Sequence, residues 1–75
     1  MTLDELIKVV AAEFEETPEE QFTADTIFKD MDEWGSLIAL SIITTVEEEF
    51  DKSITGADLR ACNTIKDLYD LIETR

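Results

Sequence analysis

The chain has 75 residues, of which 19 are acidic and 6 basic, giving a formal charge of −13, and it contains no histidine. A domain of this size buries roughly 60% of its unfolded surface, which leaves no room for a deep catalytic cavity beside a packed core. The missing histidine removes Ser-His-Asp and Cys-His machinery and imidazole metal sites, while the charge repels nucleic-acid phosphates and anionic lipid and favours partners with basic patches.

The opening residues, MTLDELIK, are acidic and helical, unlike the basic start and apolar run of a secretory signal. Thr2 followed by Glu5 has the spacing of a capping box. Leu3, Leu6, Ile7, Val10, Ala11 and Phe14 then recur at helical spacing and form one apolar stripe. This predicts a first helix running to about Glu16, where Thr17-Pro18 interrupts it, because the residue before proline is pushed out of helical geometry. From Thr17 to Gly35 no period persists. The segment reads as a long loop whose Phe22, Ile27, Phe28, Met31 and Trp34 plug the end of a bundle. A short turn is expected near Pro18 to Phe22, since proline suits a first helical position.

A second helix is expected from Ser36 to about Phe50. Ala39, Ile42, Ile43, Val46 and Phe50 supply its core stripe, and Leu37, Ile38 and Leu40 fall outside that stripe. This helix therefore carries more apolar surface than one face can bury. The run Leu37 to Val46 is too short to span a bilayer. Asp51-Lys52-Ser53 breaks the pattern and Ile54 returns to the core. Thr55 to Ala61 reads as a short third helix with Thr55 as its cap and Leu59 and Cys62 inward. Cys62 is the only cysteine. No internal disulfide can form, the chain reads as cytoplasmic, and the thiol reads as a small buried hydrophobe. Thr64 with Asp67 is another capping pair, opening a last helix that carries Ile65, Leu68, Tyr69, Leu71 and Ile72. The expected fold is all-α: one domain over residues 1–75, a small four-helix bundle of three longer helices and one short one, with a long loop between helices one and two.

The segment Asp32-Glu33-Trp34-Gly35-Ser36-Leu37 places a serine where an irregular loop becomes a helix. Unpaired N–H groups and the positive end of the helix dipole meet there, a favourable field for a phosphate ester. The same position also suits a plain N-cap serine. The stretch WGSLIALSIITTVEEEFDKSI, residues 34–54, resembles the central region of acyl carrier proteins, in which a serine-leucine pair opens a helix ending in an acidic run and phenylalanine. Here these are Ser36-Leu37 and Glu47-Glu48-Glu49-Phe50. The likeness extends along the chain, from the first helix through Phe28 of the loop to Thr64-Ile65. It implies that a phosphopantetheinyl transferase attaches the 4'-phosphopantetheine of coenzyme A to Ser36. The thiol of that arm, not Cys62, would then hold acyl or related groups as thioesters for acyl-loading and acyl-processing enzymes. The protein itself would catalyse nothing and bind no metal. Fatty-acid-like, polyketide or other specialised biosynthesis would be its setting, and it is expected to be a monomer.

Two departures from the family pattern stand out. The serine is usually preceded by aspartate, and here by Gly35; Asp32 and Glu33 lie close enough in sequence to substitute. The face after the serine is acidic in fatty-acid carriers, whereas here it carries Ile38 and Ser41, with Thr44 and Thr45 beyond. Leu37, Ile38, Leu40, Ser41 and Thr44, with Glu48 at the far end, are the expected partner-binding residues, unless the apolar ones pack against the loop. An alternative reading is a binding module of the same fold that is never modified and acts through this face. A calcium loop starting at Asp30 fails because Trp34 and Ser41 occupy its fifth and twelfth positions. A hydrolase using Ser36 has no base.

Carboxylates crowd Glu13 to Glu20 and Glu47 to Asp51, and their repulsion is strongest at low ionic strength. Added salt or millimolar divalent cations are therefore expected to raise the melting temperature in thermal denaturation. A flat response would show the charges already balanced.

Overall fold

The computed structural model describes all 75 residues. Four helices, α1 (Leu3–Ala12), α2 (Ser36–Phe50), α3 (Gly56–Ala61) and α4 (Ile65–Glu73), make up the bundle, with single 3-10 turns at Glu19–Gln21 and Phe28–Asp30. There is no sheet; one isolated bridge joins Ile27 to Thr64. One core of fourteen residues holds the helices together. Leu6, Val10 and Phe14 meet Ile42 and Val46 of α2 and Ile65, Leu68 and Ile72 of α4, with Phe22 and Phe28 of the loop at one end. Burial of a large apolar side chain contributes about 1.5–3 kcal/mol, so this cluster is the main stabilising element.

The starts of three helices follow from their sequences. Thr2, Thr55 and Thr64 each accept a hydrogen bond from the N–H three residues on, and the carboxylates of Glu5, Asp58 and Asp67 in turn accept one from the cap N–H. These caps are worth about 1 kcal/mol each. The backbone N–H groups of Thr64 and Asn63 hold the Asp67 carboxyl below its ordinary range, and that of Thr2 does the same for Glu5. At α4 the long loop completes the cap. Ile65 N–H donates to the Thr26 carbonyl at 3.3 Å and Lys66 N–H to that of Ala24 at 2.9 Å.

The first helix is shorter than its stripe. It ends at Ala12, not near Glu16, and the N–H groups of Glu13 and Phe14 close it by donating to the carbonyls of Val10 and Ala11. Glu33, from the far end of the loop, supplies the cause. Its carboxylate accepts the Glu16 N–H at 3.0 Å and the Thr17 hydroxyl at 2.5 Å. The backbone that would continue the helix is bonded elsewhere, and Phe14 turns inward with 1% of its surface exposed. Within the loop, Phe22 and Phe28 are buried and Met31 and Trp34 half-buried, as their plugging role requires, but Ile27 is exposed; its backbone, bridged to Thr64, is what engages the bundle. The short turn after Pro18 is present. At the other end, α2 stops where Asp51 adopts the left-handed conformation, φ 55°, and donates its N–H to the Glu47 carbonyl, a conformation aspartate tolerates.

Only two ion pairs form, Lys66–Asp70 and Arg75–Asp58, so most of the carboxylates have no cationic partner. Cys62 is buried and free, and burial pushes its thiol up in pKa, away from the reactive thiolate. No helix is long and apolar enough to cross a membrane.

Candidate functional site

The site is built on the approach to α2. Trp34 lies parallel to Phe14, with ring centroids 6.5 Å apart and planes at 18°, and tilts against Phe28 at 5.3 Å. Its backbone N–H donates to the Met31 carbonyl at 3.0 Å, and its neighbour Glu33 is bonded across the loop to Glu16 and Thr17. The chain is thus fixed on both sides of residue 33 before it enters the helix two residues later.

Gly35, not Ser36, occupies the cap position, and no side chain caps α2. Ser36 is the first helical residue and is exposed. A plain N-cap role for Ser36 is therefore ruled out: its hydroxyl takes no helix N–H. The first hydrogen bond of α2 runs from Ala39 N–H to the Gly35 carbonyl at 3.0 Å, and the N–H groups of Ser36, Leu37 and Ile38 have no partner in the protein. The other two long helices have side-chain caps, α4 with all three first-turn N–H groups bonded and α1 with that of Glu5, so α2 alone among the long helices leaves all three open, with the positive end of its dipole, at an exposed hydroxyl. An anionic ester on Ser36 Oγ fits this field, and nothing covers the hydroxyl.

The other expected site residues lie on α2. Leu37 and Leu40 are 78% and 60% exposed, the two most exposed large apolar side chains of the chain. They do not pack against the loop. Ile38 differs: it is half-buried and rests on the core. Ser41 is half-buried and Thr44 and Glu48 are exposed. Leu40, Ser41, Thr44 and Glu48 line one shallow hollow with Glu13 and Thr45, and Leu37, Ile38 and Ser41 line a second with Glu13, Glu15, Glu16 and Glu33. Glu13 is held in place there by the Thr45 hydroxyl, which donates to its Oε1 at 3.1 Å. Glu33 cannot stand in for an aspartate before the serine, since its carboxylate is engaged with Glu16 and Thr17; Asp32 is exposed and free of hydrogen bonds.

A third hollow, about 300 Å³, adjoins Ser36 on the side of α3. Trp34, Gly35, Ser36 and Ala39 form one wall and Gly56, Leu59 and Arg60 the other. The sequence offered no signal for Arg60, which stands twenty-four positions from the serine and reaches it only through the packing of α3 on α2. It is the one cation among the residues that line this hollow with Ser36.

A family model described as the phosphopantetheine attachment site matches residues 4–72. No curated protein matches the chain.

Position 35 can then be weighed on its geometry. Gly35 has extended backbone, φ −174° and ψ −179°, which any residue adopts, and a Cβ there would meet nothing within 4 Å. Glycine is not required by the fold, and its cost is an unfilled cap. Gly35→Asp places a carboxylate within reach of the Leu37 and Ile38 N–H groups and should stabilise the protein by about 0.5 kcal/mol, or roughly 2–4 °C in melting temperature for a domain of this size. Thermal denaturation checks this; an unchanged or lower midpoint would mean that the first-turn amides are already satisfied.

Proposed function

Because the chain belongs to the family of phosphopantetheine-attachment domains, whose members bear a covalent 4'-phosphopantetheine arm and are generally carriers without catalytic activity, we propose that Ser36 is the residue that bears the arm. The arm supplies a terminal thiol on which cargo is held as a thioester. The observation that carries this reading is the exposed Ser36 hydroxyl at an uncapped helix start, with three free N–H groups behind it. Attachment joins Ser36 Oγ to phosphorus and releases the adenosine 3',5'-bisphosphate portion of coenzyme A, the hydroxyl proton leaving to base. The amides of Ser36, Leu37 and Ile38 then face a permanent negative charge, which the dipole of a fifteen-residue helix favours.

The chain has two other serines, and neither offers this. Ser41 is half-buried in the interior of α2. Ser53 is exposed but follows the carbonyl end of the same helix, where Glu47, Glu48, Glu49 and Asp51 oppose a further negative charge.

Carriers of this family meet a phosphopantetheinyl transferase and acyl-processing enzymes in turn. For this chain the face formed by Leu37, Leu40, Thr44 and Glu48, with Ile38 and Ser41 at its edge, serves as the docking surface. Two exposed leucines among carboxylates suit partners that present apolar side chains ringed by arginine or lysine. A face with so little acid on α2 itself, compared with fatty-acid carriers, supports service to a specialised pathway of fatty-acid-like or polyketide chemistry.

Intact-protein mass spectrometry after incubation with coenzyme A and a promiscuous phosphopantetheinyl transferase tests the assignment. One added phosphopantetheine unit is expected in the native chain and in Ser41→Ala and Ser53→Ala, and none in Ser36→Ala. A gain that persists in Ser36→Ala would place the arm elsewhere.

A further inference from the structure

Ser36 stands on a divide between surfaces of opposite charge. On α2, Leu37 and Ser41 lie on one side and Ser36 and Ala39 on the other, as helical periodicity requires. The first side opens on a hollow whose charged lining is Glu13, Glu15, Glu16 and Glu33, with no cation. The second opens on the hollow that contains Ser36 itself, where Arg60 is the sole charged residue above Trp34, Ala39 and Leu59.

Arg60 is also free. Its guanidinium makes no ion pair and no hydrogen bond, although acidic residues outnumber basic ones three to one. It leans over the first residue of α3: a Cβ on Gly56 would stand 3.4 Å from Nη1. The Arg60 backbone is pinned as well, its carbonyl, near the last residue of α3, accepting a hydrogen bond from the Lys29 ammonium at 2.7 Å.

We infer that Arg60 is a positioning residue for the arm, holding the phosphodiester on the α3 side of Ser36. The inference rests on Ser36 being the attachment point. A phosphodiester is an anion at any physiological pH, and arginine offers phosphate a planar, paired set of donors. On the opposite side the same anion would turn towards a hollow lined by four carboxylates and no cation. The arm therefore leaves Ser36 over the apolar floor of Trp34, Ala39 and Leu59, away from Leu37 and Ser41. A partner can occupy the leucine face while the arm lies on the α3 side of it. Since Arg60 is exposed, the contact is weak enough to be released when the partner draws the arm in.

The test uses modified protein, with each variant compared with its own unmodified form so that any effect on the fold cancels. Trp34, the sole tryptophan, lines the hollow and reports on it by fluorescence. In the native chain, modification is expected to shift Trp34 emission and raise the melting temperature by about 1–4 °C. Arg60→Lys should keep at least half of both changes, Arg60→Ala should lose most of both and keep only the thermal shift that the first-turn amides supply, and Arg60→Glu should lower that shift further. Molar salt should abolish the differences among variants. Equal changes in all four proteins, each shown by mass to be fully modified, would overturn the role of Arg60 and leave the attachment at Ser36 standing. Absence of any mass gain in the native chain would bring down both.

Discussion

The packing of Trp34 between Phe14 and Phe28 is the contact on which the rest of the site depends. Between the end of α1 and the start of α2 the backbone makes two isolated helical turns and further single-turn bonds, each spanning three residues, which fix local bends and not the path of the loop. Order comes from four aromatic rings in sequence contact: Phe22 against Phe14 at 5.3 Å, Phe14 against Trp34, and Trp34 against Phe28. Pairs of this kind add about 0.5–1.5 kcal/mol beyond the area they bury. The Glu33 carboxylate, bonded to Glu16 and Thr17, ties the same point to the end of α1. With residues 33 and 34 fixed, the serine two positions later is displayed at a constant place and angle even though the residue between them is glycine.

The same anchor permits an imperfect helix start. The caps of α1, α3 and α4 are reciprocal and satisfied, and α4 has the loop carbonyls of Ala24 and Thr26 as well. At α2 the equivalent donors are left open, forgoing about 0.5 kcal/mol of capping in a domain with little to spare. Packing of α2 through Ile42 and Val46 compensates. What stability loses here the site gains, because a helix start filled by its own side chain would have no donors left for an anion. Local rules of good sequence design are commonly broken where a site needs them broken.

Much of this was legible in the residues, and the reasons for the gaps are physical. The bounds of α2, α3 and α4 follow from signals confined to a few adjacent residues: the end of periodicity at Phe50, and threonine paired with an acidic residue three positions on at Thr55 and Thr64. The end of α1 was not legible, because the contact that stops the helix comes from Glu33, seventeen residues from the amide it binds. Phe14 fits the stripe of α1 equally well as a helical residue or as the turned-in residue it is. The surplus of apolar residues on α2 was readable as a count, and it correctly marked Leu37 and Leu40 as outward; it could not separate them from Ile38, which leans on the core. Ser36 was readable as a helix start, while the choice between cap and first helical residue turned on a single position and on Gly35. Arg60 was invisible, since its relation to the serine exists only once α3 packs on α2.

The central claim is that the start of α2 is held open by an anchored loop. Amide hydrogen exchange, resolved residue by residue by NMR, tests it most directly. The N–H groups of Ser36, Leu37 and Ile38 are expected to exchange at nearly unprotected rates, while those of Ile65, Lys66 and Asp67, at the same positions of α4, are slowed by their bonds to Thr26, Ala24 and Thr64. Equal protection at the two helix starts would mean that the α2 donors already have partners, and the account of why Ser36 receives an anion would fail.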